Sequence, residues 1–165
     1  MITVWIGIDN GVSGSIGIIT SDEEVKFLHT PIKKCLNYTK EKKFLNRIDY
    51  KELFELLCSY SACKINALIE RPLVNPSMFN ATASALRAYE ATILALEETE
   101  IGYEVTDSKE WQKELLPHGL HKEELKIASL DVAKRLFPKV EFKGFKDADG
   151  LLIAEYCRRI KTGSK

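Results

Sequence analysis

Apolar and polar positions alternate from the start of the chain. Ile2, Val4, Ile6 and Ile8 take one parity, and Thr3, Trp5, Gly7 and Asp9 the other. A period of two rich in β-branched residues predicts a strand, and apolar groups on both faces predict that it is central. Gly11, Ser13 and Gly14 mark a turn, after which Ser15–Thr20 and Val25–His29 read as two more strands of an antiparallel meander. Residues 31–48 are polar, basic and without period, and read as a long loop of the kind that carries function in compact domains. Asp49 caps a helix to about Tyr60 that turns Leu53, Phe54, Leu56 and Leu57 to the core. Residues 65–70 read as a buried strand ending in an acid. Asn75-Pro76 is an N-cap with proline at the first helical position, opening a helix to about Thr99. Along it Phe79, Thr82, Leu86, Tyr89, Ile93 and Leu96 recur at alternating spacings of three and four. That stripe predicts core packing, and its length also suits a dimer seam. Residues 102–106 read as a fifth strand. Ser108 caps a short helix with Trp111 and Leu115, a further helix over 122–137 stops at Pro138, and the last helix covers 147–160. Strands first, then strands alternating with helices, predict an α/β fold with a mixed sheet flanked by helices.

Composition narrows the class. A chain of 165 residues predicts one domain, residues 1–161, with 162–165 as a frayed tail. With 45% hydrophobic and 29% charged residues the chain is globular and not disordered. No apolar run approaches the roughly 18 residues of a membrane helix, and no basic leader precedes the first strand, so no membrane is expected and a cytoplasmic location is. Cys35, Cys58, Cys63 and Cys157 form no Cys-x-x-Cys pair, and His29, His118 and His121 show no zinc spacing to them. Reduced, mostly buried thiols are expected. The net charge is zero, which does not advertise a nucleic-acid binder, but its distribution matters more than its sum. Lys33, Lys34, Lys40, Lys42, Lys43 and Arg47 form one basic segment. Lys143, Lys146, Arg158, Arg159, Lys161 and Lys165 make the C-terminal stretch basic, and the acids gather at 52–55, 97–104 and 110–124. Such runs are usually solvated faces.

Three acids stand where a fold places a metal site. Asp9 ends the first strand before the glycine turn, Glu70 ends another before Arg71-Pro72, and Asp149 opens the last helix. Ile153, Tyr156 and Ile160 share the helical face of Asp149, so its side chain is expected to point towards the sheet. Each acid alone is ordinary: a turn residue, a surface acid, an acid at a helix start. Together they suit phosphodiester hydrolysis, which two divalent cations about 4 Å apart can support. Mg²⁺ takes oxygen ligands and keeps several waters, so three or four carboxylates suffice. Clustered acids destabilise a fold unless a cation is bound.

On those motifs the chain resembles the RuvC-type Holliday-junction resolvases, particularly the short forms encoded by phages. Ile6-Gly7-Ile8-Asp9-Asn10-Gly11 with Ser13-Gly14-Ser15-Ile16-Gly17 resembles their first strand and hairpin, and Leu68-Ile69-Glu70-Arg71-Pro72 their second acidic motif. The segment 106–113 resembles the lead into their later helices. Ala133-Lys134-Arg135-Leu136-Phe137-Pro138 and the segment 149–156 resemble their C-terminal blocks. The resemblance implies an RNase H-like fold with five strands, a homodimer, Mg²⁺ or Mn²⁺ at two ions per site, and paired cuts in four-way DNA junctions. It implies four acidic site positions, of which Asp9, Glu70 and Asp149 match three. The family's remaining acid stands three residues before the last, and here that position is Lys146, with Asp147 the nearest acid. Asp147 is assigned as the fourth catalytic and metal-ligating acid; residues two apart in a helix point to nearly opposite sides, so it joins the site only from a loop or first turn. Otherwise Lys146 sits beside the metals or binds the scissile phosphate. The resemblance also makes the stripe with Phe79, Leu86, Tyr89 and Ile93 the dimer helix. It makes the segment 33–47 a DNA arm, in which Tyr38 and Phe44 either stack on unpaired bases or pin the arm to the core.

Three rivals remain. The glycine turn after Asp9 would suit the phosphates of an actin-like kinase or ATPase, but such proteins close two domains over the nucleotide and this chain holds one. The same nuclease site could serve forks, flaps or RNA. With Lys146 in place of an acid, the chain could also be a junction-binding module with an incomplete site.

Overall fold

The computed structural model describes residues 1–37 and 40–163, apart from the Lys122 side chain. Strands β1 (Thr3–Ile8), β2 (Ser15–Thr20) and β3 (Val25–His29) precede a hairpin of β4 (Ile32–Leu36) and β5 (Phe44–Ile48). Helix α1 (Tyr50–Cys58), strand β6 (Lys64–Glu70), helix α2 (Phe79–Glu98) and strand β7 (Tyr103–Thr106) follow. Helices α3 (Ser108–Leu115), α4 (Lys122–Leu136) and α5 (Asp149–Thr162) complete the chain. The main sheet has the order β3-β2-β1-β6-β7, so β1 is central as its two apolar faces predict. β1 and β2, and β2 and β3, pair antiparallel, while β6 runs parallel to both β1 and β7. The mixed five-stranded sheet flanked by helices is present.

Alternation along β1 divides the core in two. Val4, Ile6 and Ile8 pack with Ile16, Ile18 and Ile69 against Leu53 and Leu57 of α1 and Ala88, Ala95 and Leu96 of α2. Trp5 faces the other way, with Ile19, Leu68, Trp111 and the buried residues of α5. Gly7 and Gly17 are cross-strand partners. A methyl group on Gly7 would lie 2.0 Å from the Ala154 backbone nitrogen, and one on Gly17 2.3 Å from Leu151 Cα. The two glycines therefore clear a strip on which α5 rests backbone against backbone. Gly150 completes it, since a Cβ there would stand 2.4 Å from the Ser15 carbonyl oxygen. These contacts fix the first turn of α5 over the ends of β1 and β2.

Several expectations need correction. Ile32–Leu36 and Phe44–Ile48, within the expected loop, pair as antiparallel strands, with Lys33 opposite Arg47 and Leu36 opposite Phe44. Apolar periodicity is weak there because neither face is wholly covered. Ile48 is buried, while Leu36 and Phe44 are exposed. The core face of α2 is Ala88, Thr92, Ala95 and Leu96, small residues that let it lie close. The heptad stripe is centred roughly 100° further round the helix. Phe79 and Leu86 are exposed, Tyr89 is only partly covered by the core, and Leu96 alone of the stripe is buried. The Asn75 side chain accepts from the Ser77 N–H (3.0 Å) and caps a 3-10 turn, Pro76–Met78, that precedes α2. α3 is capped by Asp107, with Glu110 closing the capping box, and not by Ser108. α5 begins at Asp149, not 147, and runs to Thr162, where Gly163 ends it in a left-handed conformation. Residue 162 is therefore helical, and 164–165 lie outside the described residues. All four thiols are free, but only Cys157 is buried and Cys58 is exposed. Among the described residues no helix is long and apolar enough to cross a membrane.

Candidate active site

The register of two parallel strands brings the first two acids together. Ile8 of β1 sits beside Ile69 of β6, so Asp9 and Glu70 leave the sheet side by side. Their parity, shared with Gly7 and Leu68, turns both towards α5. Asp149 stands at the start of that helix, and Asp147 lies in the loop just before it. Carboxylate oxygens of Asp9, Asp147 and Asp149 all lie within 4.8 Å of one another, and each residue is half-buried. The loop position satisfies the condition for Asp147 to join the other acids.

Short hydrogen bonds hold the arrangement. The Asp9 N–H donates to the Ser15 carbonyl (3.0 Å), and the Gly150 N–H to the Ser15 hydroxyl (3.1 Å), so one serine ties strand end to helix start. Ser129 of α4, fully buried, donates to Asp149 Oδ1 (2.6 Å) and accepts from the Ala148 N–H (2.9 Å). Glu70 accepts from the indole N–H of buried Trp111 (2.7 Å).

The acids resist ionising together. Burial, then the charges of Asp149, Glu70 and Asp147, raise the Asp9 carboxyl well above its usual range, with Lys126 opposing. Asp149 is pushed up to about 7 by burial and then Asp147, against the Ser129 hydrogen bond and Lys126. Burial raises Glu70 too, and the Trp111 hydrogen bond partly offsets it. A divalent cation fits this setting. Oxygens on one octahedral Mg²⁺ at about 2.1 Å lie about 3.0–4.2 Å apart, so the three aspartates would draw together on binding one ion. An all-oxygen donor set suits Mg²⁺ or Mn²⁺.

No protein-family model and no curated protein matches the sequence. Solved structures do match. Thermus thermophilus RuvC in complex with Holliday junction substrate aligns with a TM-score of 0.64 at 14% identity, over 99% of this chain and 97% of that one. A second Thermus thermophilus RuvC structure aligns with a TM-score of 0.58 at 15% identity, over 99% and 98%. The chain has the RuvC fold. The RNase H-like architecture implied by the sequence is thus present, while the chemistry must be argued from the residues the RuvC fold positions here.

Other predicted residues fall outside the acid cluster. Lys33 and Lys34 lie on β4 and Arg47 on β5, with Lys40, Lys42 and Lys43 between the strands. Lys33 pairs with Asp49 (3.7 Å) and Lys43 with Glu41 (2.8 Å). Phe44 is 68% exposed, so it does not pin the hairpin to the core. Tyr38 lies outside the described residues. Of the α2 positions, Phe79 and Leu86 are exposed and Tyr89 and Ile93 half-buried. Three cations of the C-terminal basic stretch are tied up internally. Arg158 and Arg159 both clamp the buried Glu155 (2.8 Å each), and Lys161 pairs with Glu104. Lys146 is exposed and lines a cavity of about 310 Å³ with Lys126, His29 and Asp147. The His29 ring stacks on Phe145 at 3.9 Å there.

Sequence reasoning missed Ser129, Lys126 and Trp111. Lys126, Ser129 and Ala133 share one face of α4 at spacings of three and four, and Ala133 is buried. A serine and a lysine on a core-facing stripe were the available signal. The Trp111 indole had none, because only tertiary placement brings it to Glu70.

Proposed function

We infer that this protein is a divalent-metal-dependent endonuclease acting on branched DNA, four-way Holliday junctions first. The convergence of Asp9, Asp147 and Asp149 beside Glu70 carries this reading. The RuvC fold supports it, since the similar Thermus thermophilus RuvC was solved with a Holliday junction substrate. Asp9, Asp147 and Asp149 would hold one Mg²⁺ or Mn²⁺, and Glu70 with Asp9 a second. Divalent cations there supply the charge that lowers the pKa of water and neutralises the phosphate in phosphodiester hydrolysis. The chain's own residues do the positioning. Ser129 orients the Asp149 carboxylate, Trp111 orients that of Glu70, and Ser15 keeps strand and helix in register. Lys126 is the cation already facing Asp9 and Asp149, suited to the scissile phosphate, with exposed Lys146 beside it. The hairpin cations Lys33, Lys34, Lys40, Lys42, Lys43 and Arg47 would contact the backbone, and exposed Phe44, with Tyr38, would stack on unpaired bases. The exposed side of α2, with Phe79, Leu86, Tyr89 and Ile93, would form the seam of a homodimer, because two symmetric cuts need a two-fold enzyme.

The test is cleavage of labelled four-way junction, fork, flap and linear duplex with Mg²⁺, Mn²⁺ or EDTA, beside Glu70→Gln. Paired symmetric nicks in the junction are expected, abolished by EDTA and lost in Glu70→Gln, which removes a metal-ligand carboxylate. Preferential cutting of forks or flaps would reassign the substrate. Tight junction binding with no cutting of any substrate would replace the nuclease by a binding module.

A further inference from the structure

The acid site continues sideways across the sheet. Asp9 donates its N–H to the Ser15 carbonyl, and Ser15 is the cross-strand partner of His29. Asp9, Ser15 and His29 therefore stand in one row over β1, β2 and β3, with His29 two strand spacings, about 10 Å, from Asp9. Directly opposite residues of an antiparallel pair share a face, so His29 lies on the side that carries α5 and the acids.

That side holds a column of three rings with Phe145 in the middle. Phe145, from the loop before α5, stacks on Phe27 of β3 (centroids 4.0 Å apart, planes at 27°) and on His29 (3.9 Å, 12°). The loop reaches β3 through a turn in which the Phe145 N–H donates to the Phe142 carbonyl (3.2 Å) and Gly144 takes φ +88°, a conformation that favours glycine. Asp147 follows two residues later, so one short loop places both the ring stack and a carboxylate of the acid cluster. Burial accounts for Phe27 and for half-buried Phe145. The third ring is held in place while staying open to solvent, on the wall of the cavity of about 310 Å³. A ring fixed in this way loses little freedom when another ring stacks on it. Every nucleobase has a face for such a ring. The same cavity is lined by Lys126 and Lys146, which suit a phosphate, and by Ser13, Ser15 and Asp147. An aromatic face, two cations and a metal-site carboxylate around one hollow match the parts of a single nucleotide.

We propose that this cavity is a nucleobase subsite, in which the nucleotide flanking the scissile phosphate lays its unstacked base on His29 while Lys126 and Lys146 meet its phosphate. The proposal rests on the nuclease reading and adds to it a reason for choosing branched DNA. Unstacking a base costs least where pairing is already interrupted, as at a branch. The test is the cleavage rate of four-way junctions carrying one abasic nucleotide at a time around the cut, for wild type, His29→Ala and His29→Phe, with thermal melts to confirm that each is folded. At one position beside the cut, loss of the base is expected to slow wild type about tenfold or more. His29→Ala should cut the intact junction slower by a similar factor and lose nothing further at that position, because base and ring act as one pair. His29→Phe should keep both the rate and the sensitivity. His29→Ala that cuts as fast as wild type, or that slows intact and abasic junctions alike at every position, would make the column a packing device and overturn the subsite while leaving the nuclease standing. His29→Phe as slow as His29→Ala would assign the effect to the imidazole nitrogens and overturn the stacking role. Wild type that cuts no branched DNA would remove the nuclease reading, and the subsite with it.

Discussion

Asp149→Asn should stabilise the metal-free protein while removing its chemistry. The Asp149 carboxyl is pushed from an ordinary 3.8 to about 7, by burial first and the Asp147 charge second. Between those values the native side chain keeps its proton while the unfolded one has lost it, so the native state binds more protons and stability falls as pH rises. The loss starts near pH 4 and is complete above about pH 7. At about 1.36 kcal/mol per pKa unit the full effect is on the order of 4 kcal/mol, with about 2.5 kcal/mol of it between pH 5 and 8. In a domain of this size that corresponds to a drop in melting temperature of about 5–10 °C. Asparagine keeps an oxygen for the Ser129 hydroxyl and carries no charge, so the variant escapes the penalty. Differential scanning calorimetry in EDTA from pH 5 to 8 measures the difference directly. The gap between variant and wild type should widen with pH, and Mn²⁺ at pH 8 should raise the melting temperature of wild type and leave the variant unmoved. Parallel pH profiles for the two proteins, or a variant that melts below wild type at pH 8 in EDTA, would refute the account of a repulsive, cation-seeking site.

Lys126→Met should act in the opposite direction, because it removes the cation that opposes the raised pKa of both Asp9 and Asp149. The metal-free variant is expected to melt about 2–4 °C below wild type at pH 8, a change of about 1 kcal/mol, and to cut more slowly with Mg²⁺ present. Gly17→Ala places a methyl group 2.3 Å from Leu151 Cα, so α5 must lift from the sheet. A cost of about 1–3 kcal/mol or more follows by chemical denaturation. Mn²⁺ affinity by calorimetric titration should fall with it, since Asp149 travels on the helix that lifts.

The parts of the fold that were legible are those where one physical cause dominates. β1 shows its period because both of its faces are buried, and the strand ends at Asp9 and Glu70 stand out because acids interrupt apolar runs there. The hairpin at 32–48 was not legible, because its strands carry lysines, an arginine and an asparagine on faces that stay open to solvent. Hydrogen bonding between β4 and β5 needs no hydrophobic period, so its signal is absent from the pattern. The stripe on α2 was visible but misassigned. Its large residues predict the core face, whereas close packing against β-strands and α1 selects Ala88, Thr92 and Ala95, and leaves Phe79 and Leu86 outside. Large residues that repeat at helical spacing while small ones fill the core describe a helix with two apolar faces, and among the described residues only one of them is buried.

The candidate site turns on where α5 begins. Had the helix started at Asp147, that residue and Asp149 would have diverged, and Lys146 would have left a gap among the acids. Two contacts hold the start at Asp149. The Ser129 hydroxyl takes the Ala148 N–H just ahead of the helix, and Ser15 takes the N–H of Gly150, whose missing Cβ lets the turn settle on the strand. The residues before Ala148 are thereby kept out of the helix, and Asp147 folds back to within 4.8 Å of its partners. An acid displaced by one position along the chain is recovered in a loop, where backbone angles are free to re-aim it, and would be lost in a helix, where they are not. Lys146 is then free to line the neighbouring cavity with Lys126, placing two cations beside three aspartates. That balance of charge suits a site that receives a phosphodiester together with its metal, and it favours a cutting enzyme over a module that only binds.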